Sequence, residues 1–198
     1  MGRPRTFDEG RAVEAACRVF WLKGYEGATT EDLCQATGLG RSSVYNTFIS
    51  KSHLFRRCLS HYMDTTGARQ VSIMENAGPD GLGRVQALLE AIVEAELEGR
   101  REGYGSGCFT VNTITALAYD DPETATILDR DKERRLLALR SVIQGGQRDG
   151  SITSPEDPHA LAWYVASTIY GMRVAAQSGA PEDILRRIVA TGAVALAP

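Results

Sequence analysis

The chain has 198 residues, 43% of them hydrophobic and 24% charged, a balance that excludes a disordered chain and suffices for one substantial core, or for a small module on a larger one. The net charge of −3 is unevenly spread: residues 1–63 hold nine Lys/Arg against six Asp/Glu, and residues 64–198 hold thirteen against nineteen. A basic head on an acidic body suggests an anionic partner at one end.

The chain opens on MGRPRT, which fits the short myristoylation pattern M-G-x-x-x-[ST]; we read the match as chance. Arg3-Pro4-Arg5 suits either a flexible arm entering a minor groove or a basic tail with general attraction for nucleic acid. Thr6 and Glu9 then form a capping box, T-F-D-E, ahead of a first helix. Val13, Ala16, Cys17, Phe20 and Trp21 recur on one helical stripe, and Lys23-Gly24 supplies a stop. Thr29 caps a second, short helix whose first turn carries Glu31 and Asp32 and which ends at Gly38. After Gly40 the pattern is helical through Phe48, and a fourth helix runs from about Lys51 to about Met74.

Gly78-Pro79-Asp80-Gly81 is a clear break. Beyond it the sequence predicts helices over about Gly83–Glu98, Cys108–Tyr119, Pro122–Arg148, Pro158–Gln177 and Pro181–Leu196. No strand-like alternation or internal repeat interrupts them. The reading is all-α, about nine helices, divided into an N-terminal three-helix unit (residues 1–52) and a larger helical domain (residues 53–198).

The segment T-E-D-L-C-Q-A-T-G-L-G-R-S-S-V-Y carries the functional signal. A short helix, a turn at Gly38 and a second helix make a helix-turn-helix. Cys34 is small where the helices cross, Gly38 can take positive φ, and Leu33, Leu39 and Val44 face inward. Such a unit lays its second helix in the major groove with the N-terminal residues nearest the base edges. Arg41 there can grip guanine bidentately, and Ser42 and Ser43 can donate or accept. Thr30, Tyr45, Asn46 and Lys51 suit phosphate oxygens. A polar helical hairpin on a solvated face is the plainer alternative.

Residues 7–55 resemble the DNA-binding domain of the tetracycline-repressor (TetR) family. The resemblance rests on F-x-x-x-x-A-V-E-A-A-x-x-V-F-x-x-K-G-Y from Phe7, T-T-E-D-L-C-Q-A-T-G-L-G, and S-S-V-Y-N-T-F-I-S-K-S-H-L-F. It implies that Arg41, Ser42, Ser43 and Asn46 face bases while Thr30, Tyr45 and Lys51 hold the backbone. Three departures are visible: Cys34 for the usual alanine, Gly40 where a capping serine is common, and Glu31 where some relatives carry a groove-contacting base. The last contact is not carried over.

One recognition helix touches few base pairs, so the body is expected to dimerise. Ala160–Ala176 is apolar around most of its circumference, with Ser167, Gly171 and Ala175 in a row that permits close helix approach. Ile184, Ile188 and Leu196 line the apolar stripe of the last helix; these two helices are expected to pack against their copies, although the same pattern fits a monomer core. The resemblance also implies a small-molecule effector in the body. Tyr104, Phe109, Asn112, Tyr119, Trp163 and Tyr170 are the candidates for an aromatic-lined pocket, against the alternative that aromatics at this spacing are ordinary core. Repression follows from the resemblance alone.

Two other readings fit the sequence: a helical partner-binding scaffold without sequence-specific DNA binding, and a thiol sensor using Cys108. None of Cys17, Cys34, Cys58 and Cys108 forms a CxxC pair, and buried thiols in a reducing compartment are the simplest account. His53, Cys58 and His61 share one helix but make no metal site, and no catalytic or nucleotide motif occurs, so neither a cofactor nor enzyme activity is expected. The longest charge-free run in the second half, Ala160–Met172, falls short of the roughly 20 residues of a spanning helix, and no apolar signal region follows the basic N-terminus. A cytoplasmic location is expected.

Overall fold

The structure is a computed structural model that describes residues 8–103, 107–117 and 121–197. Among these residues the architecture is all-α: α1 (Glu9–Gly27), α2 (Thr30–Thr37), α3 (Arg41–Phe48), α4 (Lys51–Asn76), α5 (Gly81–Arg101), α6 (Phe109–Leu117), α7 (Pro122–Asp149), α8 (Pro158–Gln177) and α9 (Glu182–Leu196). The expected fold class holds, with shifts of a few residues at the helix ends. The N-terminal cap differs: Asp8, not Thr6, closes α1, its carboxylate accepting from the Gly10 and Arg11 amides. The arginine arm and the MGRPRT match lie outside the described residues.

Short acidic and glycine signals set the helix ends. Asp80, Asp121 and Asp157 cap α5, α7 and α8 through their carboxylates, and proline opens the last two. Gly38 and Gly150 take the left-handed conformation that ends α2 and α7. Gly24 puts a kink into α1 at φ 69° and ψ 175°, a region only glycine visits easily.

Two apolar cores stack along the molecule. The first joins Phe20, Leu33, Val44, Phe48, Leu54, Phe55 and Leu59 and draws in Phe109 and Leu128 from the body. The second is built from α5, α7, α8 and α9 around Leu88, Leu89, Ile143, Met172 and Leu185. Helix α4 belongs to both, with Phe55 in one and Met74 in the other. At the crossing of α5 and α7 the backbones touch: a Cβ on Gly81 would lie 2.3 Å from the Gly146 Cα. Among the described residues no helix is long and apolar enough to cross a membrane.

Candidate nucleic-acid interface

The head is assembled by local capping chemistry. Thr29 accepts from the Asp32 amide at 3.1 Å, and the Asp32 carboxylate accepts from the Thr29 amide at 3.0 Å and its hydroxyl at 2.8 Å. Lys23 adds an ion pair at 2.6 Å. The Lys23 ammonium, then the Thr29 donors, hold the Asp32 carboxyl down at about 2. This network fixes where α2 begins. At its other end the Thr37 hydroxyl donates to the Leu33 carbonyl at 2.7 Å, and Gly38 makes the turn at φ 69°.

Helix α3 is anchored from beneath and open above. Val44 and Phe48 are buried in the head core, while Arg41, Ser42, Ser43, Tyr45 and Asn46 are all exposed. Gly40 caps the helix with no side-chain hydrogen bond, and no acid sits in the first turn. The Thr30 and Tyr45 hydroxyls share a hydrogen bond of 2.9 Å across the two helices. Lys51 opens α4 with its ammonium 4.7 Å from the centre of the Tyr25 ring, a cation–π contact that limits its range. Of the seven residues expected to touch DNA, five stand exposed on α3, Thr30 is joined to one of them, Tyr45, and Lys51 lies half-buried at the start of α4.

One feature of the head escaped sequence reading. Ile49 joins α3 to α4 at φ 66° and ψ −55°, and the Ser50 amide donates to the Phe48 carbonyl at 2.6 Å. This is a positive-φ γ-turn, a strained conformation for a β-branched residue, and the Ile49 side chain is 74% exposed. No sequence signal marks it, since isoleucine is a poor residue for such a turn. The joint is reinforced by Ser50, which caps α4, and by the His53 Nδ1 contact to the Phe48 carbonyl at 2.9 Å.

The body residues are placed differently. Ser167, Gly171 and Ile184 are exposed, and Ala175 and Ile188 are half-buried. Leu196, expected at a subunit interface, is instead fully buried in the core of its own chain because the α9 stripe turns it toward α5. Trp163, expected in a pocket, stands at the surface on the same side of α8 as Ser167 and Gly171. Phe109 is buried edge-on against Phe55 and Tyr62, with centroid separations of 5.5 and 5.7 Å. Asn112 is half-buried, and the Tyr170 hydroxyl accepts from Arg135 at 3.2 Å. Tyr104 and Tyr119 lie outside the described residues.

A cleft of about 470 Å³ opens instead between α1, α4, α5 and α8, and none of the four described pocket candidates lines it. Its walls include Trp21, Tyr62 and Ala176. Trp21 donates to the Gly107 carbonyl at 2.5 Å and meets Tyr62 edge-on at 5.2 Å. Cys108 is buried, with its sulfur 3.6 Å from the Tyr62 hydroxyl. Among the described residues no group of three or more His, Cys, Asp or Glu is placed to hold a metal ion.

A short helix pair joined by a left-handed glycine, presenting arginine, serines and amides from a buried anchor, defines a helix-turn-helix DNA-binding regulator with a helical body. Known proteins agree. Residues 12–58 match the family model described as bacterial regulatory proteins, tetR family. The HTH-type transcriptional repressor ComR of Escherichia coli strain K12 is 29% identical over 193 residues, covering 96% of this chain and 89% of the relative. A cysteine variant of the TetR family regulator CifR, solved with 26-base-pair double-strand operator DNA, superposes with a TM-score of 0.80 at 28% identity, covering 98% of this chain and all of that one. Reduced E. coli NemR, 16% identical, shares the fold at a TM-score of 0.81 over 92% of this chain and 93% of its own. The chain is thus similar along nearly its whole length to named regulators of transcription, and its residues 12–58 carry the tetR-family match.

Proposed function

We propose that the protein is a cytoplasmic homodimeric repressor that holds a palindromic operator and releases it when a small, largely apolar ligand binds the body. The observation that carries the reading is the exposed face of α3, where Arg41, Ser42, Ser43 and Asn46 project from a helix anchored by Val44 and Phe48. In this reading those four side chains read base edges, and Thr30, Tyr45 and Lys51 fix register on phosphates. The head comprises residues 1–52, and the remainder is the regulatory and dimerisation domain. Exposed Ser167, Gly171 and Ile184, with half-buried Ala175 and Ile188, form the seam between the two copies of α8 and α9. Repression is supported by ComR, a named repressor matched along nearly the whole chain.

Ligand control is a population shift. A molecule that binds better to a second arrangement of the heads draws the dimer away from operator spacing. Selection of binding sites from random or genomic DNA by the purified protein tests the reading. The expected product is a symmetric site with half-sites one helical turn apart or a multiple of it. An asymmetric site, no enrichment, or a monomer at micromolar concentration in analytical ultracentrifugation would refute it.

A further inference from the structure

We propose that Ile49 reads the operator: its apolar side chain seats against the C5-methyl group of one thymine in each half-site. Ile49 thereby adds an apolar contact to the polar ones of the DNA-binding reading above, on which the assignment rests. Its side chain is more exposed than any other large apolar one among the described residues, and it packs into neither core. Its backbone holds φ 66° and ψ −55°, a conformation open to glycine and strained for a β-branched residue.

Backbone strain persists only where the surroundings over-determine it, and it gathers at functional positions. Here the surroundings are firm. Phe48 is fully buried, with the Arg57 guanidinium 5.5 Å from the centre of its ring. The Phe48 carbonyl accepts from the Ser50 amide at 2.6 Å and lies 2.9 Å from His53 Nδ1, and the Ile49 amide donates to the Tyr45 carbonyl at 2.9 Å. All of these contacts hold the backbone, and none of them uses the Ile49 side chain. Within the chain, glycine would serve the joint at least as well. A single exposed apolar residue is ordinary on a protein surface. One kept in a conformation that opposes it needs a return from outside the fold.

The place of the residue supplies the partner. Ile49 stands at the exposed end of α3, one turn beyond Tyr45, whose carbonyl its amide still engages. It follows Asn46, assigned above to base edges, by three residues and precedes Lys51, assigned to phosphate, by two. A duplex that meets both lies against position 49. Phosphate offers an isoleucine nothing. In the major groove the thymine C5-methyl is the apolar group on the base edges, and aliphatic side chains pack against it. Arg41 lies at the other end of α3, roughly 12 Å away at 1.5 Å per residue, so the thymine is distinct from the base pair that Arg41 grips.

Uracil scanning tests the contact. An operator is selected with the full-length protein, each of its thymines is replaced in turn by uracil, which deletes only the methyl group, and affinity is read by fluorescence anisotropy. For wild type, uracil at one position per half-site is expected to weaken binding about fourfold, the effect of one buried methyl. Ile49→Gly should bind the thymine operator at least about fourfold more weakly per half-site and be indifferent to uracil at that position. Its Tm should be no lower than that of wild type, because glycine is at ease at φ 66°. Ile49→Ala, which keeps a Cβ and the strain but loses the apolar arm, should show the same loss of affinity and the same indifference. A residue that merely held the joint between α3 and α4 would instead lower Tm and weaken every sequence alike on substitution by glycine. That pattern, an operator bound equally well by Ile49→Gly, the absence of any uracil-sensitive thymine, or a sensitivity that survives both substitutions overturns the proposal. If Arg41→Ala weakens the operator while the Ile49 substitutions do not, the DNA-binding reading stands and the thymine contact alone falls. If no operator is selected, the DNA-binding reading falls and the thymine contact with it.

Discussion

Replacing Trp21 by phenylalanine isolates the bond between head and body. Phenylalanine keeps a ring beside Tyr62 but has no donor for the Gly107 carbonyl, which is buried in the native contact. Leaving a buried carbonyl unpaired costs about 1–3 kcal/mol. The smaller ring forfeits roughly a further 1 kcal/mol of packing. A total of about 2–4 kcal/mol corresponds to a fall in Tm of roughly 4–16 °C for a chain of this size. Thermal melts of wild type and Trp21→Phe at one fixed protein concentration provide the assay, since dimerisation would make Tm depend on concentration. A fall of less than about 1 °C would show that the indole bond contributes nothing measurable to holding α1 against the body.

Four further outcomes are expected. Arg41→Ala should relax base preference at one position per half-site and weaken a selected operator by about 1–3 kcal/mol, measured by anisotropy against single-base variants. Lys51→Ala should weaken all sequences alike and reduce the salt slope by about 0.9 per protomer, read from affinity at several salt concentrations. Gly81→Ala should destabilise more than Gly146→Ala in chemical denaturation. The new methyl at position 81 meets backbone at 2.3 Å, whereas at 146 it meets the Ile152 side chain at 2.7 Å and backbone only at 3.2 Å. The stability lost in Asp32→Asn should be constant from about pH 5 to 8 and shrink as pH falls from about 4 toward 2. The Asp32 carboxyl is held at about 2 against 3.8 for the free group, so its contribution is complete above the unfolded value and vanishes on protonation of the folded form.

The head was legible because its chemistry is local. The Thr29 cap, the Gly38 turn and the inward Leu33 and Val44 lie within sixteen residues, and each side chain's role follows from its neighbours in sequence. Arg41, Ser42, Ser43, Tyr45 and Asn46 stand exposed on α3 for the same reason. Contacts between distant segments were not legible. The Gly81–Gly146 approach brings together residues 65 apart, and nothing in either helix announces it. Leu196 and Trp163 show the same limit in α8 and α9. Both helices are apolar on more than one side, so periodicity marks the stripes without saying which one the chain itself covers. The cleft was missed because its walls come from four helices, and because Trp21 and Tyr62 read as ordinary core when each helix is considered alone.

Helix α4 spans 26 residues without interruption, roughly 39 Å at 1.5 Å per residue. Its first turn is joined to α3 by the single γ-turn at Ile49, a hinge too short to absorb slack. Motion at the far end of this rod is therefore delivered to the recognition helix almost undiminished. A swing of about 5° sweeps the near end through roughly 3.4 Å, the rise of one base pair. In the dimer proposed above, a displacement too small to disturb the packing of the body would be enough to put the two reading heads out of step with the helical repeat of the duplex.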